Sequence, residues 1–145
     1  MVSFPDAVKM FFSRYVDFQG RSRRSEYWWV MLFHTIVYFA LSILAGIFGA
    51  IGGSNGEPGP LFWVFMGLLG IYVLIIFIPN LALTVRRIHD VNITGWLLIG
   101  AFIPFVGFLV AIGIFVISVL PGTVGPNKYG SDPKNPTAGA ADTFV

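Results

Sequence analysis

Long uncharged runs separated by short polar clusters set the pattern of this chain. Three stretches, Trp28 to Ile51, Leu61 to Val85 and Trp96 to Leu120, contain no Lys, Arg, Asp or Glu. A helix needs about 20 mostly apolar residues, at roughly 1.5 Å each, to cross about 30 Å of hydrocarbon. All three stretches are long enough, which predicts transmembrane helices over 27–51 and 61–87 and a third membrane segment over 95–120. Ahead of them, Phe4, Val8, Phe11, Phe12, Tyr15 and Phe18 recur at helical spacing, with Asp6, Lys9, Ser13 and Asp17 between them. This predicts an amphipathic helix over 3–20. Ser3 suits its N-cap, Pro5 its first turn and Gly20 its stop. Such a helix lies in the membrane interface or packs on the rest of the protein.

The third hydrophobic segment carries Pro104 and Gly107 about a third of the way along, so two architectures fit it. One is a single kinked span that ends on the far side. The other is a half helix up to Ile103, a turn at Pro104 to Gly107 and a return helix to Leu120, which keeps both ends on one side. Lys128 and Lys134 favour the second. Between the first two spans, "IGGSNGEPGP" from Ile51 to Pro60 is a turn by composition. The expectation is a single membrane domain over 1–134 followed by a flexible tail over 135–145.

Composition agrees with lipid as the solvent: 56% of the 145 residues are hydrophobic and 11% are charged, with a mean hydropathy of +0.79. These values are too apolar for an ordinary soluble domain. The opening residues lack the continuous apolar core and small-residue cleavage site of a secretory signal, so they are expected to stay attached. With no cysteine, disulfides and thiolate chemistry drop out. Net charge is only +2, and the arginines sit beside the membrane segments, so anionic lipid head groups, not nucleic acid, are the expected counter-charge. Arg21, Arg23 and Arg24 precede Tyr27, Trp28 and Trp29, and Arg86 and Arg87 close the second span. The positive-inside rule therefore predicts a multi-pass protein with a cytoplasmic N-terminus, the glycine-rich loop outside and "RRIHD" inside. Glu26, three residues after Arg23, is placed for a helical ion pair.

Polar groups inside the spans are few. His34 shares a helical face with Tyr27, Met31, Tyr38 and Ser42. It suits either a hydrogen bond to a tyrosine or another helix, or proton transfer. Pro79 is expected to kink the second span, with Asn80 placed to repair the lost backbone bond. Asn80, Thr84 and Arg87 follow on one stripe that serves as helix-to-helix glue or lines a small polar cavity. His89 beside Asp90 invites a metal site or an Asp-oriented base. A chain with two histidines and seven carboxylate side chains, Glu57 being on the opposite side, is too poor in ligands for metal hydrolysis. No serine stands in a Gly-x-Ser-x-Gly setting. Structural ion pairing is the preferred reading, and no cofactor or metal is expected.

Four ordered motifs, "FQGRSRRSEYWW", "IPNLALTVRRIHDVNITGWLLI", "IPFVG" and "LPGTVGPNKYGSDP", resemble the signature of the YhaH/YhaI-like family of small bacterial inner-membrane proteins, a domain of unknown function. The resemblance spans nearly the whole chain. It implies location in the bacterial inner membrane and agrees with the fold class read from the residues, an all-α integral membrane protein with an N-terminal interfacial helix, a small bundle of transmembrane helices and a third segment broken at Pro104–Gly107. It implies no catalytic residues. Carried over residue by residue, the family pattern groups Gly20, Arg21, Arg24, Ser25, Glu26, Tyr27 and Trp28 in one element. A second holds Pro79, Arg86, Arg87, His89, Asp90, Gly95 and Trp96, and a third Pro121, Gly122, Gly125, Asn127, Tyr129, Gly130, Asp132 and Pro133. Ile88, where the family usually has leucine, and the apolar turn of "DVNITGW" depart from it mildly.

A broken third segment brings these elements to one membrane face. The expected consequence is one interlocking cluster of ion pairs and hydrogen bonds involving Arg21, Arg24, Glu26, Arg86, Arg87, His89, Asp90, Asn127 and Asp132, because buried charges need partners. Functionally, a non-enzymatic scaffold or adaptor that binds lipid, a membrane-protein partner or a second copy of itself explains most. The alternative is a subunit of a small oligomeric transporter or channel, with His34, Tyr38, Asn80 and Thr84 along its path. A lipid head-group enzyme built on His89 and Asp90 ranks last.

Overall fold

The structure is a computed structural model that describes residues 1–135. Its described residues form helices α1 (Phe4–Ser13), α2 (Arg24–Gly52), α3 (Pro60–Asp90), α4 (Leu97–Gly100) and α5 (Val106–Val119), with no strand beyond two isolated bridges. In the most apolar windows of α2 and α3 only 17% and 6% of residues are buried, whereas the core helix of a soluble protein hides most of its apolar surface. Leu32, Ile36, Phe39 and Ile43 on α2 and Ile71, Leu74, Ile75 and Ile78 on α3 all face outward. Outward-facing apolar side chains along both helices, with backbone bonds made mainly within the helix, are what hydrocarbon requires. The protein is an all-α membrane protein.

The chain divides into two units, Met31–Ile78 and a second made of Met1–Val30 with Pro79 onward. In the Met31–Ile78 unit, α2 ends and α3 begins around a tight glycine turn. Gly59 N–H donates to the Gly49 carbonyl at 3.0 Å, and Ser54 and Glu57 exchange backbone bonds of 3.2 and 3.0 Å. Asn55 and Gly56 turn the chain there with φ of 54° and 81°. A side chain at Gly59 would strike the backbone of Gly52. Within this unit His34 Nδ1 lies 2.6 Å from the Tyr72 hydroxyl, with Tyr38 edge-on to Tyr72 at 5.7 Å.

In the other unit, α1 is capped by Ser3, whose Oγ accepts the Asp6 amide at 3.4 Å. It buries Ala7 and Phe11 and leaves Phe12 exposed, so one stripe of this helix packs on the protein itself. The helix is shorter than the expected 3–20. Arg14 leaves helical geometry, and its guanidinium turns to Asp17 at 2.8 Å and the Gln19 carbonyl at 3.2 Å. Asp17 in turn accepts the Gln19 amide at 3.0 Å. The carbonyls of Arg14 and Asp17 accept from Arg86, and the Arg14 carbonyl also accepts the Asp17 amide at 3.3 Å, closing a turn in place of a continuing helix. The long helices outrun their expected ends, α2 starting at Arg24 and α3 reaching Asp90 through Pro79 without interruption.

The third hydrophobic segment is a hairpin. The run from Thr94 to Ile103 closes with short-range backbone bonds around α4. Phe105 then adopts φ of 64° and α5 returns, packed against α4. Gly107 is required at the bend, because any Cβ would strike the Ala101 carbonyl. With 14 residues, α5 rises about 21 Å, short of the roughly 30 Å of hydrocarbon. Of the two architectures the sequence left open, the structure has the broken one. Of the expected tail over 135–145, only Asn135 falls within the described residues.

Candidate functional site

The last turn of α3 carries Arg86, Arg87, His89 and Asp90, and three other segments close on it. Arg86 is fully buried and Arg87, Asp90 and Arg21 are 1%, 3% and 6% exposed. Charges this deep need partners in good geometry, since an unpaired one is strongly destabilising.

Asp90 is the hub of the first half. Its Oδ1 accepts from Arg21 Nε at 3.0 Å, and its Oδ2 accepts from Arg87 Nη1. Arg21 also donates to the carbonyls of Gly125 and Thr123 at 2.7 and 2.5 Å. Arg87 Nη2 donates to the carbonyls of Ile117, at 2.9 Å, and Leu120. Two guanidinium groups thus tie the segment before α2, the end of α3, the end of α5 and the start of the tail to one carboxylate. Charge-assisted bonds of this kind are roughly twice as strong as neutral ones.

Arg86 anchors the second half. Nε donates to Ser22 Oγ at 3.0 Å, Nη1 to the carbonyls of Arg14, at 3.2 Å, and Asp17, and Nη2 lies 3.7 Å from Glu26 Oε1. Ser22 passes the contact on, its hydroxyl donating to Glu26 at 3.1 Å and its amide to the Arg86 carbonyl at 3.1 Å. Glu26 therefore faces inward to Arg86, and the ion pair expected with Arg23 does not form. Asp17 sits at the edge of this half. Burial pushes its carboxyl up, but the Arg14 hydrogen bond, the Gln19 amide and the charges of Arg14 and Arg86 outweigh that and hold it below the usual range.

The tail motif caps α3. The final carbonyls of a helix have no partner within it. Here Thr123 N–H and Oγ1 donate to the Asp90 carbonyl at 2.8 and 3.0 Å. Asn127 Nδ2 donates to the His89 carbonyl at 3.0 Å. Asp132 folds the tail upon itself by accepting the Lys134 and Gly125 amides at 2.8 and 3.0 Å. The Lys134 amide, followed by that of Gly125 and the charges of Arg21 and Lys134, outweighs burial and holds its carboxyl below the usual range. Gly122 has no room for a side chain, because a Cβ would occupy the place of the Asp90 carboxylate.

The expected single cluster is corrected in three respects. It is two half-clusters, centred on Asp90 and on Arg86. Asp132 makes backbone bonds instead of an ion pair. Arg24 points outward and donates to the Val119 carbonyl at 3.1 Å, because its place on α2 carries it away from the face that holds Glu26. His89 is placed neither for the preferred ion pairing with Asp90 nor for the Asp-oriented base ranked behind it. Both Asp90 oxygens are taken by arginines, while the His89 ring lies flat on Tyr129 with centroids 3.7 Å apart and Nδ1 3.3 Å from the Gly20 carbonyl. Among the described residues no group of three His, Cys, Asp or Glu is placed to hold a metal. Thr84 hydrogen-bonds Tyr27, and Asn80 is half-buried.

Sequence reasoning missed Ser22, Thr123 and Tyr129 as partners. Ser22 and Thr123 lie inside the quoted motifs without a role of their own, and only Tyr129's place in the family pattern singled it out.

Residues 15–131 match the family described as "Protein of unknown function (DUF805)". Inner membrane protein YhaI of Escherichia coli (strain K12) is 39% identical over 121 residues, covering 83% of this chain and 88% of its own. Inner membrane protein YhaH of the same strain is 36% identical over 121 residues, covering 83% and 89%. No solved structure matches the chain.

Proposed function

We propose, from the premise that this chain belongs to the DUF805 family of proteins of unknown function, that it is a multi-pass inner-membrane scaffold or adaptor whose buried arginine cluster is a structural latch. In this reading α2 and α3 cross the membrane, the α4–α5 hairpin dips in and returns, and the N-terminus and latch are cytoplasmic. The arginines outside the latch, Arg23 and Arg24, face anionic head groups, as the positive-inside rule favours. The observation that carries the reading is the engagement of both Asp90 oxygens by Arg21 and Arg87. A carboxylate held by two buried guanidinium groups is an organiser, and it leaves His89 without an acid to orient it for catalysis. The latch holds a cytoplasmic surface in one shape, which is what recognition of a lipid or a protein partner needs.

The test uses the absence of cysteine. A single cysteine at exposed Val16 or Val124, treated with a bifunctional thiol crosslinker in native membranes, is expected to join one discrete second polypeptide, whether another protein or a second copy. A closed ring of several copies would favour the transporter subunit instead. No discrete product from either site would overturn the scaffold reading.

A further inference from the structure

The latch uses the charges of the three motifs but not their aromatic and apolar members. Phe18, His89, Trp96 and Tyr129 instead line a half-open cavity of about 560 Å³, whose wall is completed by Val85 and Leu98 among others. That volume lies within the range of small-molecule sites, about 300–1,000 Å³. Gly95 forms part of the wall and must lack a side chain, since a Cβ would press on Val85 and on His89 Nε2.

Two features identify the occupant. Ile99 and Phe102 line the cavity and are themselves exposed, as are Ile103, Phe105 and Phe108 on the same hairpin. An apolar chain therefore enters from the bilayer without crossing water. The stacked His89 and Tyr129 rings line the same cavity, and the Lys128 ammonium stands 5.0 Å from the Tyr129 centroid. Aromatic rings beside a lysine mark the head-group level, where a cation complements phosphate. Among the lining side chains only those of His89, Thr94, Trp96 and Tyr129 carry hydrogen-bonding groups, so a peptide backbone laid along the cavity would lose most of its hydrogen bonds to water without replacement.

We propose that this cavity is a binding site for one acyl chain of an anionic phospholipid, with the lipid phosphate at Lys128. The inference rests on the scaffold reading and names its lipid partner. It places the bound lipid against the tail that caps α3, so occupancy and latch closure support one another. Nothing in the latch itself needs the lipid, because its donors and acceptors are satisfied mainly by protein groups.

The experiment uses the full chain in a non-ionic detergent, with phosphatidylglycerol or phosphatidylcholine of identical acyl chains added in mixed micelles. Lipid retained by the intact protein is read by native mass spectrometry, and thermal stability is measured on the same samples. The expected result is one phosphatidylglycerol retained per chain in preference to phosphatidylcholine. Leu98→Trp, which fills the cavity, is expected to abolish retention of both. Lys128→Glu changes an exposed residue, leaves lipid-free stability as in the parent, and is expected to weaken phosphatidylglycerol retention by about fivefold or more, the size of one lysine at an anionic surface. Should Leu98→Trp fail to fold, Lys128→Glu decides alone. Equal retention of the two lipids by the parent chain, or retention unaffected by Lys128→Glu, would overturn the proposal. Those results leave the scaffold reading standing, since that reading is tested by the crosslinking result and not by lipid retention.

Discussion

The two ends at which the long helices stop solve the same problem by opposite means. Where α2 gives way to α3, Gly49, Gly52, Gly56 and Gly59 let the backbone fold back on itself, and the bonds are local. Where α3 ends, Asp90 and its neighbours collect partners from Arg14 to Gly125, and almost every bond joins residues far apart in sequence. A glycine turn closes a helix pair with little side-chain specificity. The charged end closes only if the segment before α2, the hairpin and the tail all arrive in register. This difference explains why the family motifs gather at one end of α3, and it turns each motif residue into a statement about assembly.

Breaking the charged end should have the largest effect. Asp90→Ala strands Arg21 and Arg87 without their carboxylate, and removing one partner of a buried pair costs about 3–5 kcal/mol. Out of a total stability of roughly 5–15 kcal/mol, this should abolish most of the folded protein recovered from membranes, read by fluorescence-detected size exclusion. Normal yield and thermal stability would contradict the latch. Gly122→Ala comes next. It forces the tail away from Asp90, an overpacking penalty of about 1–3 kcal/mol, visible as a lower Tm in detergent.

Gly56→Ala makes the matched change in the other turn. Nothing lies near an added Cβ there, and only the positive φ resists it, for about 1–2 kcal/mol at most. Equal Tm losses at Gly122 and Gly56 would remove the distinction between the two ends. The mildest effect is on pH dependence. Asp17 and Asp132 have carboxyls lowered in the folded protein, so the unfolded chain takes up protons first as pH falls. The stability they supply is present above about pH 4, the unfolded carboxylate value, and is lost as pH drops through their lower folded values. Below about pH 5 these two carboxyls are expected to lower Tm in detergent, with Asp132→Asn flattening part of that decline.

Much of this architecture was legible beforehand because hydropathy and charge are local signals. The uncharged runs marked α2 and α3 to within a few residues, and Pro104 with Gly107 marked the hairpin bend. The clustering of Arg21, Arg86, Arg87 and Asp90 followed from asking where charges beside lipid find partners. What could not be read were partners that carry no side-chain signature. Arg14, Asp17, Ile117, Leu120, Thr123 and Gly125 all accept an arginine through their backbone carbonyls. Helical periodicity carried α1 on to Gly20 for the same reason, since nothing in the pattern reveals that the Arg14 and Asp17 carbonyls are claimed by Arg86. The stack of His89 on Tyr129 joins residues 40 positions apart, beyond the reach of any spacing rule.

The claim on which the rest depends is that the third segment returns and delivers the tail to the arginine end of α3. Paired fusions of a fluorescent protein and of alkaline phosphatase after Val145, expressed in a bacterial inner membrane, measure this directly. A fluorescent, phosphatase-inactive chain, matching a cytoplasmic N-terminus, is the predicted result. Phosphatase activity without fluorescence would place the tail across the bilayer from Arg86 and Arg87, and would contradict the latch.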